Sequence, residues 1–156
     1  MTHALNLTLP IKQDAQSQAA LQHLAEIFET QVQPAIEAAL KESRLVHFAR
    51  VLVIDNKYIQ VITEYEGPHA EYTEFFRRKL EPVFAAIFAL ADGVPDVSDP
   101  NAFWEFSKNH NVRSLGRATD GATDFSGNPA GWLFSAYDHK TVDDVLSAID
   151  AQNSET

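Results

Sequence analysis

The chain of 156 residues is 45% hydrophobic and 22% charged, a composition typical of one globular domain. Its 12 lysines and arginines against 22 aspartates and glutamates give a formal net charge of −10, which argues against nucleic-acid binding because phosphate contacts need clustered cations. Because cysteine is absent, disulfides and thiolate chemistry are excluded. No apolar run reaches the roughly 20 residues of a membrane span, and the N-terminus lacks a signal-peptide pattern. We therefore expect a cytoplasmic protein without a membrane span.

The first half of the chain predicts a strand, a helix and a hairpin. Leucines that alternate with polar residues predict a strand over 4–9. Apolar residues three and four apart predict a long helix over about 15–42, with a kink at Pro34. Residues 45–54 and 58–65 are rich in β-branched and aromatic residues, and the three residues between them form a turn, which together predict a β-hairpin.

The second half predicts helices, an insertion and one more strand. A helix after Gly67-Pro68 runs to about residue 91, with a kink at Pro82. An insertion at about 93–130 holds a short helix and a glycine-rich loop. The segment GWLFSAY, residues 131–137, predicts a fourth strand. A last helix follows Thr141, and residues 153–156 are expected to fray.

This order of elements predicts an α+β fold of the ferredoxin-like βαββαβ type. The expected domain spans residues 1–152 and has a four-stranded antiparallel sheet, the insertion before the last strand and an extra C-terminal helix. Both long helices would cover one face of the sheet. The apolar residues of strands two and four exceed what these helices can cover, so we expect a homodimer formed through the other face.

The layout resembles the dimeric α+β barrel superfamily. The segment HFAR at 47–50, the hairpin after it, and EYEGPHAEYTEFF at 64–76 resemble a module found beside dye-decolorising-type haem peroxidase domains. Glu66-Gly67 stands where that module has Asp-Gly. The GxxDG motif of the peroxidases is absent from the chain, so the resemblance implies a related fold and not peroxidase activity.

Arg50 is the residue that an apolar strand explains least, because a buried guanidinium needs a partner. Strand alternation predicts Arg50 on the barrel face with Phe48, and His47 on the opposite face against the helices. A three-residue turn places Arg50 diagonal to Glu64, and we prefer an ion pair between them. The alternative is an arginine that binds a carboxylate in a pocket of low dielectric. In the ion-pair interpretation Arg50 is the costliest polar side chain to truncate.

The remaining candidates are histidines and aromatic residues. We expect His47 to donate to a backbone carbonyl, and His110 to cap the carbonyls of the short inserted helix. The histidine spacing predicts no metal site. The candidate ligand-binding residues are Arg50, Glu64, His47, Tyr65, Phe48, Trp132 and His110.

Two functional hypotheses follow. The first is a dimeric α+β barrel that binds an acidic small molecule, or acts on it as a cofactor-independent enzyme, in a pocket near Arg50. The alternative is a non-catalytic accessory or interaction domain associated with a haem peroxidase or another redox system. We expect no cofactor, and haem is not favoured because His47 is the sole candidate for an axial ligand.

Overall fold

Three strands form one antiparallel sheet in the order β1-β3-β2. The computed structural model describes residues 2–93 and 95–154. β1 spans Thr2–Pro10, β2 spans Val46–Ile54 and β3 spans Tyr58–Glu66. The prediction of an α+β protein with a β2–β3 hairpin is confirmed.

A long interrupted helix connects β1 to β2. It comprises α1 (Ala15–Ile27), a π-helical turn (Phe28–Val32) and α2 (Gln33–Ser43). The predicted interruption at Pro34 is confirmed, since this proline lies in the first turn of α2. A proline inside a helix removes one N–H donor and clashes with the preceding turn. The wider π turn, in which the Gln33 N–H donates to the Phe28 carbonyl, accommodates it.

The remaining helices are shorter. The second predicted helix divides into α3 (His69–Lys79) and α4 (Glu81–Phe88), and Pro82 opens α4. α5 spans Pro100–Asn109 and α6 spans Val142–Ser154. Of the tail predicted to fray, residues 153 and 154 belong to α6, whereas 155 and 156 lie outside the described residues. Within the described residues, no helix combines the length and apolarity that crossing a bilayer requires.

The helices pack on one face of the sheet. Leu5 and Leu7 of β1 and Ile59, Val61 and Tyr65 of β3 lie on that face and are buried. The helix residues buried in the same core include Leu21, Leu24, Tyr72, Phe76, Ile87 and Phe88. Burying these apolar side chains supplies the main driving force for folding.

The opposite face of the sheet, which we call the open face, carries no helix layer from the described residues. Phe48, Arg50, Leu52 and Ile54 of β2 lie on it, as the sequence predicts. Phe48 is 68% exposed. Val46, which alternation assigns to the same face, is instead buried in the core on the helix side.

The structure corrects the predicted fourth strand. Residues 131–137 form no strand, and the Trp132 N–H donates to the Leu115 carbonyl at 2.9 Å. A Cβ atom on Gly131 would lie 2.1 Å from the Ser114 carbonyl oxygen, so the chain passes directly against that loop. This close approach holds the start of the segment against the loop and not in the ladder of the sheet.

The outer edge of β1 instead meets the residues after α5. Leu7 forms an isolated antiparallel bridge with Asn111. The Thr8 N–H donates to the His110 carbonyl and the Val112 N–H to the Asn6 carbonyl, both at 2.9 Å. These short contacts occupy the place beside β1 that a fourth strand would take.

The structure also corrects which arginine is buried. Arg50 is exposed, whereas Arg77 on α3 is only 7% exposed. The Arg77 guanidinium forms two hydrogen bonds to the carboxylate of Glu74, at 2.6 and 2.9 Å. Its Nη1 also donates to the carbonyls of Val97 and Ser98 at 3.2 and 3.3 Å. Arg77 therefore attaches the segment before α5 to α3.

We expect Arg77→Met to lower the free energy of unfolding by about 2–3 kcal/mol, because hydrogen bonds from a charged donor contribute about 1.5–3 kcal/mol. The matched control is Arg78→Met, which removes the same charge from the exposed side of α3. That control should change stability by less than about 0.5 kcal/mol. Urea denaturation of both variants measures the difference, and equal effects would contradict the assignment.

Candidate functional site

A β-bulge in β2 creates the candidate site. Val46 pairs with Tyr65 and Phe48 pairs with Glu64, so His47 is an extra residue without a partner position on β3. A bulge of this kind reverses the alternation of faces on one side of it. Val46 therefore lies on the helix side, while His47 lines a cavity of the open face with Arg50. The prediction that His47 and Arg50 lie on opposite faces is wrong for this reason.

The bulge borders a cavity of about 290 Å³, which we call the open-face pocket. Thr2, His47, Phe48, Arg50 and Glu64 form its wall on the sheet side. The whole segment 133–140 forms the other wall. Three residues of the predicted site thus join Arg50 in one cavity, namely His47, Glu64 and Phe48.

His47 is held by a buried carboxylate. Its Nε2 is hydrogen-bonded to Oε1 of Glu66, and the Thr2 hydroxyl donates to the same oxygen at 2.8 Å. The side chains of His47 and Glu66 are 10% and 8% exposed. The predicted bond from His47 to a backbone carbonyl is therefore replaced by a histidine–carboxylate pair. A carboxylate in this position fixes the orientation of the imidazole.

Arg50 and Glu64 lie on the same face but do not touch. The three-residue turn places Arg50 opposite Ile62, with Glu64 on the diagonal, as the sequence predicts. No ion pair joins them in the described part of the chain, so the preferred ion-pair interpretation is not confirmed. Burial raises the pKa of Glu64 above its usual value, against the opposing attraction of Arg50 and His47. Among residues 2–93 and 95–154 the guanidinium of Arg50 forms no ion pair, and Glu64 interacts with it only at a distance.

The other predicted residues lie elsewhere. Tyr65 is fully buried on the helix side, where it stacks on Tyr72 at 3.8 Å between ring centroids and its hydroxyl bonds to Nδ1 of His69. The Nδ1 of His110 donates to the Phe106 carbonyl at 2.8 Å, which confirms its capping role. Trp132 lines a neighbouring void of only about 30 Å³. None of Tyr65, His110 and Trp132 lines the open-face pocket.

Sequence reasoning missed Glu66, Thr2 and the segment 133–140. Glu66 is the last residue of β3, and its carboxylate reaches His47 across the bulge. His139 lines the open-face pocket, and neither of its ring nitrogens has a hydrogen-bond partner among the described residues. No sequence signal identifies these partners, because the bulge that assembles them depends on strand pairing.

Comparisons of the chain with protein-family models, with curated proteins and with solved structures found no match. Among the described residues, no group of three or more histidine, cysteine, aspartate or glutamate side chains is arranged to hold a metal ion. The site is therefore interpreted from its own geometry.

The raised pKa of Glu64 has a consequence for stability. A carboxylic acid whose pKa is higher in the folded state contributes stability below its unfolded pKa, and this contribution is lost as the pH rises through the folded value. We expect Glu64→Gln to stabilise the protein at pH 7 by a few tenths of a kcal/mol, an effect kept small by partial solvent screening. The gain should vanish at pH 4 and below.

Chemical denaturation at pH 7 and pH 4 measures this effect. Glu71→Gln is the matched control, because it removes one negative charge from the exposed surface of α3. A Glu64→Gln variant that is less stable than the wild type at pH 7 would mean that the carboxylate is a net stabilising partner on this face.

Proposed function

We propose that the protein binds a small carboxylate-bearing molecule in the open-face pocket. The observation that carries the proposal is the exposed Arg50, which has no ion pair within the described part of the chain, beside the ordered His47–Glu66 pair in one cavity. Arginine is suited to such a ligand because its planar guanidinium can donate two parallel hydrogen bonds to a carboxylate. No cofactor is needed for this function.

The apolar walls favour a ligand with an aromatic or branched carbon skeleton. Phe48, Leu133 and Phe134 line the pocket around the charged groups. A cavity of about 290 Å³ is at the lower end of the range for small-molecule sites, roughly 300–1,000 Å³. The proposed ligand is therefore a small acid with one apolar group, such as an aryl acetate.

The same geometry supports cofactor-independent proton transfer. A histidine whose Nε2 is engaged by a buried carboxylate presents its Nδ1 for exchange with a ligand. Arg50 would stabilise negative charge that develops on the bound carboxylate or enolate. Haem is not part of the proposal, because the Nε2 of His47 is already bonded to Glu66.

We further propose that a second copy of the chain covers the open face, as in dimeric α+β barrels of the ferredoxin-like type. Phe134 is 83% exposed and, with Phe48, leaves an apolar surface at the pocket. The strand order β1-β3-β2 agrees with that fold if residues 110–112 replace its fourth strand.

The exposed apolar surface of Phe48 and Phe134 also favours the second candidate function, an interaction domain. If the domain only mediates association, the surface remains apolar but no acid binds beside Arg50.

The ligand proposal is tested with phenylacetate and its uncharged analogue phenylacetamide, titrated by NMR. We expect phenylacetate to bind the wild type, and Arg50→Met to weaken it roughly 10- to 100-fold, since charge-assisted hydrogen bonds contribute about 1.5–3 kcal/mol. Phenylacetamide should bind weakly to both. Because Arg50 has no ion pair to lose, the ligand-free variant should keep its stability within about 0.5 kcal/mol.

Arg78→Met is again the matched control, since it removes one arginine far from the pocket lining. Phenylacetate binding that is equally weak in the wild type, Arg78→Met and Arg50→Met would reject the carboxylate site. That result, combined with an intact dimer, would favour the interaction domain.

The dimer proposal is tested by sedimentation equilibrium at micromolar concentration. We expect a dimer whose dissociation constant rises about tenfold or more in Phe48→Asp and in Phe134→Asp, because each buries an unpaired charge. The control is Leu115→Asp, at a leucine that is 89% exposed and does not line the pocket. A monomeric wild type, or a dimer lost only in Leu115→Asp, would refute association through the open face.

A further inference from the structure

A second cavity lies on the helix side of the sheet, away from the open-face pocket. It has a volume of about 300 Å³ and opens between α2 on one side and α3 and α4 on the other. Its floor is formed by Ala49, Val51 and Val61, and we call it the helix-side cleft. Ala49 and Val51 lie on the edge strand β2 and are only half-buried, so the helices leave a gap above them.

The walls of the helix-side cleft are mainly apolar, with the exposed Gln33 of α2 at their rim. Phe76, Leu80, Val83 and Ile87 form the wall of α3 and α4. On the other side the lining includes Phe28, the first residue of the π-helical turn. Single π turns inside longer helices occur frequently at functional sites. Preformed apolar cavities with one or two polar groups are the usual form of a small-molecule site.

The polar group of the cleft is a pair of buried hydroxyls. Thr63 Oγ1 and the Tyr72 hydroxyl oxygen are 2.6 Å apart, and the two residues are 6% and 5% exposed. Burial raises the pKa of Tyr72 well above its usual value, so its hydroxyl keeps its proton. Two hydroxyls carry two protons, and the bond between them uses one. The other proton has no acceptor among the described residues.

An unused donor in an apolar cavity defines the ligand that fits. A buried N–H or O–H without an acceptor is unfavourable, and a ligand oxygen in the cleft would supply one. The charged Glu37 lies at the exposed mouth, where it pairs with Lys41. Arg50 lines both cavities because it lies on the edge strand between them. The hydroxyl pair on the floor is thus the polar feature that distinguishes the interior of the cleft.

We propose that the helix-side cleft binds an uncharged, mainly apolar molecule with one hydrogen-bond acceptor, such as a ketone or ester carbonyl. The volume corresponds to about ten non-hydrogen atoms, at roughly 30 Å³ for each water-sized group. The acceptor oxygen meets the hydroxyl pair, and the carbon skeleton contacts the phenylalanine and leucine walls. This site lies on the other face of the sheet from the proposed carboxylate site, and the two cavities share only Arg50 of the edge strand.

The test uses three probes of similar size: 4-phenylbutan-2-one, butylbenzene and 4-phenylbutanoate. Each is titrated into the ¹⁵N-labelled full chain and followed by NMR. We expect the ketone to bind about 3- to 10-fold more tightly than butylbenzene, as expected for one neutral hydrogen bond. When the ketone binds, the backbone amide signals of Ala49, Val61 and Tyr72 should shift, and those of residues 133–140 should not.

Two single variants and their combination identify the donor. In Thr63→Val or Tyr72→Phe the remaining hydroxyl keeps a proton for the ligand, so ketone binding should stay within about threefold. The double variant lacks both buried hydroxyls, and its ketone affinity should fall to that of butylbenzene, because Gln33 and Arg50, the other donors of the lining, lie at the exposed rim. Tyr58→Phe, at the exposed end of the hairpin, is the control for losing a tyrosine hydroxyl. Val83→Phe should abolish binding of the ketone and of butylbenzene by filling the cleft.

Several results would overturn the proposal. They are no saturable binding of the ketone or of butylbenzene by the wild type, an equal loss of ketone and hydrocarbon affinity in the double variant, tighter binding of 4-phenylbutanoate than of the ketone as measured at the amides of Ala49, Val61 and Tyr72, and ketone-induced amide shifts confined to the open face. If the double variant does not fold, the wild-type ratio decides. A ketone-to-butylbenzene preference above about threefold supports the hydroxyl donor, and no preference rejects it.

Discussion

The extra residue that His47 inserts into β2 determines the face on which its neighbours lie. With regular pairing, His47 would point toward the helices and Val46 would lie in water on the open face. The bulge exchanges these positions, so that Val46 enters the core and His47 reaches the buried carboxylate of Glu66. Hydrophobic burial of Val46 and the His47–Glu66 bond thus stabilise the same backbone irregularity. Arg50, three residues later, then shares a cavity with an oriented histidine.

The position of β2 at the edge of the sheet explains why cavities lie on both of its faces. β3 is central, and its Ile59, Val61 and Tyr65 are buried together with the leucines of β1. Beyond β3, the small side chains of Ala49 and Val51 on β2 leave the helix-side cleft unfilled beneath the helices. On the other face, no helix covers β2 at all. One strand therefore separates a charged pocket from an apolar cleft.

The sequence predicts most elements of this fold because their signals are local. The Asp14 side chain caps α1 by accepting from the Ser17 N–H at 2.7 Å, and Thr141 and Asp144 cap α6 through reciprocal bonds of 3.0 Å. The two internal prolines mark the helix interruptions correctly. Hairpin register also follows from the sequence, since the length of the turn decides which residue faces Arg50.

The errors concern contacts between residues distant in sequence. GWLFSAY has the composition of a strand, yet Gly131 lies so close to Ser114 that no side chain fits there, and residue 111 already occupies the edge of β1. Likewise, the position of Arg50 in an apolar strand suggested a buried ion pair. The buried arginine is instead Arg77, on helix α3, whose sequence is rich in charged residues. The bulge at His47 and the close approach of Gly131 to Ser114 both depend on tertiary contacts, which the periodicity of the sequence does not encode. The candidate site depends on the bulge, so only its members Arg50, Glu64, His47 and Phe48 were predictable, and not their arrangement.

The two proposals for the open face depend on each other through the charge of Arg50. In a single chain this guanidinium is exposed and is solvated by water. A second copy that covers the open face would remove that water, and an unpaired buried charge is strongly unfavourable. Glu64 is a poor replacement, because its own burial already raises its pKa and disfavours its charged form. An anionic ligand supplies the missing charge, so it should bind the closed dimer more tightly than the open monomer and, by linkage, strengthen the dimer. If both proposals hold, Arg50 would make carboxylate binding and association parts of one equilibrium.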